Sequence, residues 1–146
     1  MPRRSVSVSS VVPAPAAAIF DLLADPAQHP LIDGSGTVLA PREGAPGRLA
    51  LGSTFGMDMK MGVGYRIENT VVEFEEDRLI AWRHFNGHRW RWQLTPVPGG
   101  TEVTETFDWS TARMPLLLDL SPFPRRNKAS MRRSLERLAA LFGTAA

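Results

Sequence analysis

The sequence predicts an α+β fold: an antiparallel sheet of about seven strands, two short helices after the first strand, and a long C-terminal helix. Three observations carry this. From Gly52 to Trp109 apolar and polar residues mostly alternate, the two-residue period of a half-buried strand. Turn chemistry (Glu75-Glu76-Asp77, Asn86-Gly87, Pro98-Gly99-Gly100) punctuates that stretch at hairpin spacing. Met131, Leu135, Leu138 and Phe142 then recur at the three- and four-residue steps of one helix face.

The first strand is expected over Arg4–Val12, where Val6, Val8, Ser10 and Val12 alternate with Ser5, Ser7 and Ser9. Arg3-Arg4 and Ala14-Pro15-Ala16 have the outline of an export signal, but serines and two prolines interrupt the would-be apolar region. Strand periodicity wins, and a cytoplasmic protein is expected. Pro15 suits the first turn of a helix, because its missing N–H would find no partner there. Ile19, Phe20, Leu22 and Leu23 give that helix its apolar face, and Asp25-Pro26 stops it. Gln28–Leu31 can form one more short turn. Asp33–Gly36 reads as a loop before a strand near Thr37–Ala40. Phe55, Met57 and Met59, then Tyr65, Ile67, Asn69 and Val71, mark two strands by alternation. Leu79–His84, His88–Thr95 and Thr101–Trp109 complete the sheet.

Register at Asn86-Gly87 can be worked out. A two-residue loop would mix tryptophan and arginine on both faces. A three-residue loop with Gly87 in the left-handed region pairs Trp82 with Trp90 and His84 with His88. Ile80, Trp82, Trp90, Trp92 and Leu94 then share one face, and Arg83, Arg89, Arg91 and Gln93 the other. Because a buried face sets register, the three-residue loop is preferred, with the arginines exposed outside.

Composition narrows the function classes. A chain of 146 residues, 43% hydrophobic and 22% charged, fits one globular domain over residues 1–146, with no linker or internal repeat. No apolar run approaches the ~20 residues that span a bilayer. The absence of cysteine excludes disulfides, thiolate nucleophiles and Cys-based zinc sites. Gly62-Val63-Gly64 lacks the third glycine of a dinucleotide fingerprint, and no serine has nucleophile-elbow flanks. The formal net charge of +2 is mild, but Arg125, Arg126, Lys128, Arg132, Arg133 and Arg137 crowd the last helix against Glu136 alone. That face is either simply solvated or turned toward an anionic surface.

In order and spacing, several segments resemble the START-like superfamily, in its polyketide cyclase/dehydrase branch with the helix-grip fold. They are Val11–Ala16 with Ile19 and Phe20, Leu22–Pro26, Leu79–Trp82, Gly99–Val103, and the helix ending Leu135–Leu138. The resemblance implies a curved antiparallel sheet wrapped around the C-terminal helix. It also implies a hydrophobic cavity between them for lipids, polyketides or similar molecules. The family ranges from carriers to cyclases with no shared catalytic motif. Many members have a tryptophan soon after the second helix, where this chain has His29-Pro30-Leu31-Ile32.

The candidate ligand wall comprises Met57, Met59, Tyr65, Ile67, Asn69, Trp82, Trp90, Trp92, Phe107, Trp109, Met131 and Leu135. Four tryptophans on one face exceed what a small core requires, and methionines suit an adaptable wall. His84, His88 and Glu105 are the candidate acid–base groups for aldol closure or dehydration. Glu105 shares its face with Val103, Phe107 and Trp109, so its carboxylate either pairs or is pushed toward its neutral form. Leu94 opposite Val103 puts Trp92 opposite Glu105 and leaves Glu105 ~13 Å from His88 along the strands, too far to share a metal ion. No metal or cofactor is expected. His88–Trp92 mimics a single-strand nucleic-acid platform, but its tryptophans and arginines project to opposite faces, which argues against that partner. Two function classes stay open. One is binding of a small apolar or aromatic molecule, with or without cyclase-type chemistry. The other is an interaction or regulatory module using the basic helix; a homodimer fits either.

Overall fold

The computed structural model describes residues 4–25, 28–32, 38–41, 48–61, 63–84 and 87–142. Asp33–Gly36, Phe85 and Asn86 of the expected loops lie outside them. The elements in chain order are β1 (Ser5–Val12), α1 (Ala16–Leu23), α2 (His29–Ile32), β2 (Val38–Pro41), β3 (Thr54–Met61), β4 (Val63–Glu75), β5 (Leu79–His84), β6 (Arg89–Val97), β7 (Gly100–Asp108), α3 (Pro115–Asp119) and α4 (Phe123–Leu141). One antiparallel seven-stranded sheet runs in the order β1-β7-β6-β5-β4-β3-β2. Strands β2 to β7 form a meander, and β1 returns to pair with the last of them.

That return is tightly specified. Val8 pairs with Glu105 and Val12 with Thr101, and buried Thr101 donates its hydroxyl to the Ala14 carbonyl at 2.7 Å. Pro15 sits at the N-cap of α1, one position earlier than the sequence suggests, and its carbonyl accepts the first helical hydrogen bonds. Ile19, Phe20 and Leu23 are buried along the face that their spacing predicts. Phe20 meets Phe74 edge-on at 5.3 Å.

The β5–β6 hairpin has the three-residue register. Trp82 pairs with Trp90 and Arg83 with Arg89. The Gly87 N–H donates to the His84 carbonyl, and Gly87 has φ +95°. In β4 a bulge between Val71 and Glu73 breaks the alternation. It lets Val71 face inward opposite Trp82 while Glu73 lies opposite Ala81 on the outer face. There Glu73 accepts from Arg89 (2.9 Å) and Arg91 (2.8 Å), and Asp108 accepts from Arg89 (2.8 Å). This ladder corrects the expected exposure: Arg83 is exposed, but Arg89 and Arg91 are half-buried, because long side chains lie flat to reach their carboxylates.

Helix α4 lays Met131, Ser134, Leu135 and Leu138 onto the inner face of the sheet, with its arginines outward. Nothing in the sequence pattern marks Met114–Leu120 as an element, yet α3 forms there. A five-residue helix has too few internal hydrogen bonds to hold itself. This one is anchored through Asp119, which accepts from the Trp109 indole (2.7 Å) and the Arg4 guanidinium (3.0 Å).

Candidate functional site

The inner face of the sheet is built in rows across the strands. One row runs Val8, Glu105, Trp92, Ile80; the next runs Val6, Phe107, Trp90, Trp82, Val71. In a third, His84 stands opposite Asn69, which stands opposite Phe55. Successive rows are two residues, about 7 Å, apart.

Aromatic rings join these rows into a wall. Phe107 lies 4.9 Å from Trp90, 5.3 Å from His88 and 5.6 Å from Trp109 by ring centroids. His84 and His88 face one another at 4.5 Å. Trp82 stacks on His29 at 4.9 Å, and Phe55 meets both edge-on at 5.5 Å. His29 therefore supplies an aromatic ring from the start of α2, a role its sequence context does not reveal. The Leu23 carbonyl can only accept, so the 2.8 Å contact fixes the proton on His29 Nε2. Only its apolar context in three dimensions identifies this residue; alternation cannot register a side chain from a short helix.

Of the expected wall residues, Asn69, Trp82, Trp92, Phe107, Trp109, Met131 and Leu135 are buried and Trp90 is half-buried. For Met57, Met59, Tyr65 and Ile67 the backbone pairs Met57 with Ile67 and Met59 with Tyr65; their side chains lie outside the described residues. Tryptophans and arginines of β6 do project to opposite faces, the arginines into the outer ion-pair ladder.

Polar groups on this apolar surface are few. Asn69 Oδ1, His88 Nδ1 and Trp92 Nε1 are shielded from solvent and have no hydrogen-bond partner among the described residues. Glu105 is 5% exposed, between Val8 and Trp92 in register. The structure brings His84, His88 and Asn69 together but leaves Glu105 two rows away from them.

Burial, with His88 alongside, lowers the His84 pKa to about 3; burial lowers that of His88 to about 4. Both imidazoles are neutral at physiological pH. The unfolded chain takes up these protons from about pH 6.5 downward, whereas the folded chain resists until about 4 and 3. Stability should therefore fall on acidification through that window, by up to about 1.4 kcal/mol per pH unit for each histidine. Urea denaturation of the wild type and His88→Gln between pH 7 and 4 checks this. The variant should show the shallower slope; equal slopes would mean that His88 titrates normally.

A groove of about 450 Å³ opens between β1 and α4, lined by Ser7, Val8, Ser9, Ser10, Lys128, Arg132, Leu135 and Glu136. Its apolar floor, Val8 and Leu135, borders the Glu105 row, since Val8 is the β1 partner of Glu105.

A curved antiparallel sheet closed by a C-terminal helix, with an aromatic inner face, defines a helix-grip ligand-binding fold. A family model described as polyketide cyclase / dehydrase and lipid transport matches residues 3–143, and the chain belongs to that family. Protein Rv0088 of Mycobacterium tuberculosis is 39% identical over 140 residues, covering 92% of this chain and 62% of its own length. The chain thus spans under two thirds of that relative. Among solved structures, CV1439 of Chromobacterium violaceum superposes with a TM-score of 0.73 at 17% identity, covering 94% of this chain and 96% of its own. An AHSA1-like protein from Aeromonas hydrophila gives 0.70 at 18% identity, covering 97% and 96%. These two likenesses concern the fold. Among the described residues no helix is long and apolar enough to cross a membrane.

Proposed function

We propose that this chain is a cytoplasmic carrier or sensor that binds one small apolar or aromatic molecule bearing a polar group against the inner face of its sheet. The observation that carries this reading is the wall itself. Trp82, Trp90, Trp92, Phe107 and Trp109 share the inner face with three shielded polar atoms, Asn69 Oδ1, His88 Nδ1 and Trp92 Nε1, that the described residues leave without partners. Leaving a buried donor or acceptor unmatched costs about 1–3 kcal/mol, so a fold keeps such atoms where something else matches them. A ligand with a carbonyl and a hydroxyl on an apolar skeleton suits this set of acceptors and donors.

The family description covers enzymes as well as transport, and Glu105, His84 and His88 are the groups on which acid–base chemistry would rest. Carriage is the better reading for this chain. Imidazoles with pKa values near 3 and 4 are poor proton donors and acceptors at neutral pH. The remaining carboxyl, Glu105, stands two rows from them, outside direct proton-transfer range. Native mass spectrometry of protein purified from its own host would identify a retained molecule.

Titration with an anilinonaphthalene sulfonate fluorophore tests the wall. Trp90 is half-buried, so it contributes wall area with less of the core role of Trp92. Trp90→Ala should weaken probe affinity about tenfold while the protein stays folded, and Trp90→Phe should recover most of it. Unchanged affinity in folded Trp90→Ala would show that the aromatic wall is not a ligand surface.

A further inference from the structure

Helix α3 carries large apolar side chains that stay exposed among the described residues. Leu116 is 65% exposed, Leu117 58% and Leu120 82%, and Met114 just before them is 58% exposed. At 100° per residue the three leucines fall within one continuous face of about 100°, while Leu118 points the other way and packs on the core. Monomeric proteins rarely leave so many large apolar side chains together in water, and such a patch marks an interaction surface. The one acid of the segment, Asp119, is turned inward to Trp109 and Arg4. The basic residues that flank the segment in sequence, Arg113 and Arg125, are both exposed.

We infer that α3, with the arginines on either side of it, docks this protein on an anionic lipid bilayer. Exposed leucines flanked in sequence by exposed arginines match the interfacial arrangement in which apolar side chains enter the acyl boundary and cations meet headgroup phosphates. A second copy of the chain fits less well, because a twofold contact through this patch brings its arginines toward their own symmetry copies. The anchor of α3 also points to the site. The Trp109 indole that holds Asp119 stacks on Phe107, which contacts Trp90 and His88. Docking therefore joins the bilayer, through Asp119, Trp109 and Phe107, to the histidine end of the aromatic wall. This deepens the proposed function, on which it rests for its purpose, by naming the source of the ligand as the membrane.

Co-sedimentation of the full chain with vesicles provides the test, using phosphatidylcholine alone and phosphatidylcholine mixed with phosphatidylglycerol. The wild type should sediment with the mixed vesicles and lose most of that binding at high salt. The triple variant Leu116→Ser/Leu117→Ser/Leu120→Ser alters only exposed side chains and should bind roughly tenfold more weakly or worse. Arg113→Glu/Arg125→Glu should lose the preference for phosphatidylglycerol. Both variants should keep wild-type circular dichroism and wild-type fluorophore binding in solution. A wild type that stays in the supernatant, or a triple-serine variant that binds undiminished, overturns the docking surface. So does a wild-type dimer in sedimentation equilibrium that the triple variant dissolves, since the patch would then be a self-contact. Retained fluorophore binding beside failed vesicle binding leaves the ligand reading standing; vesicle binding without fluorophore binding upholds the docking face and removes that reading.

Discussion

Trp92→Ala should lower the unfolding free energy by about 3–5 kcal/mol, a loss comparable with much of the stability of a small domain. Trp92 is buried in the middle of the inner face, between Ile80 on β5 and Glu105 on β7. Truncation leaves a cavity that neighbouring strands cannot close without breaking the ladder. Trp92→Phe separates packing from hydrogen bonding. Its indole N–H has no partner among the described residues, so phenylalanine forfeits ring volume but no internal hydrogen bond. A cost under about 1.5 kcal/mol is expected there. Urea denaturation followed by circular dichroism reads both. An alanine cost below about 1 kcal/mol would place Trp92 outside the core. A phenylalanine cost equal to alanine's would show that the N–H is engaged within the protein.

Gly87→Ala is the second change with a large expected effect, because it meets two obstacles together. At φ +95° an L side chain is already strained, and a Cβ at this position would lie 2.5 Å from the Thr111 carbonyl oxygen and 3.3 Å from the Ala112 Cα. Those are backbone atoms and cannot rotate away. The same approach allows Thr111 to donate its hydroxyl to the Gly87 carbonyl at 2.6 Å. Alanine must therefore push the 109–112 segment off the hairpin that carries His84 and His88. About 2–4 kcal/mol of destabilisation is expected. Gly99→Ala isolates the conformational part, since φ there is +86° but nothing lies within 4 Å of the added Cβ; it should cost about 1–2 kcal/mol. Equal losses at the two positions would mean that the contact with Thr111 yields without cost.

How much of this could be read from residues alone depended on whether the signal was local. Trp82, Trp90 and Trp92 lie on one face because a strand alternates, so a single register decision at Gly87 placed them, and the pairing of Leu94 with Val103 added Phe107. The same parity placed Glu105 inward and Arg89 and Arg91 outward. Alternation could not reveal the bulge at Val71/Glu73, and without it the partners of Arg89 and Arg91 stay hidden; hence they were expected in open solvent. Nor could it reveal that His29, on a four-residue helix, stacks on Trp82.

Strand periods, turn residues and the 3.6-residue stripe of α4 are properties of neighbouring residues, and they determined the element order, the hairpin register and which faces are apolar. Helix α3, the bulge-fed ion-pair ladder and the pairing of β1 with β7 were decided only in three dimensions. Asp119 meets Arg4 across 115 residues, and Thr101 meets Ala14 across 87. Such contacts arise only once the sheet has brought both ends of the chain together. The depressed pKa values of His84 and His88 have the same origin, since burial belongs to the assembled wall and not to an imidazole's neighbours in sequence.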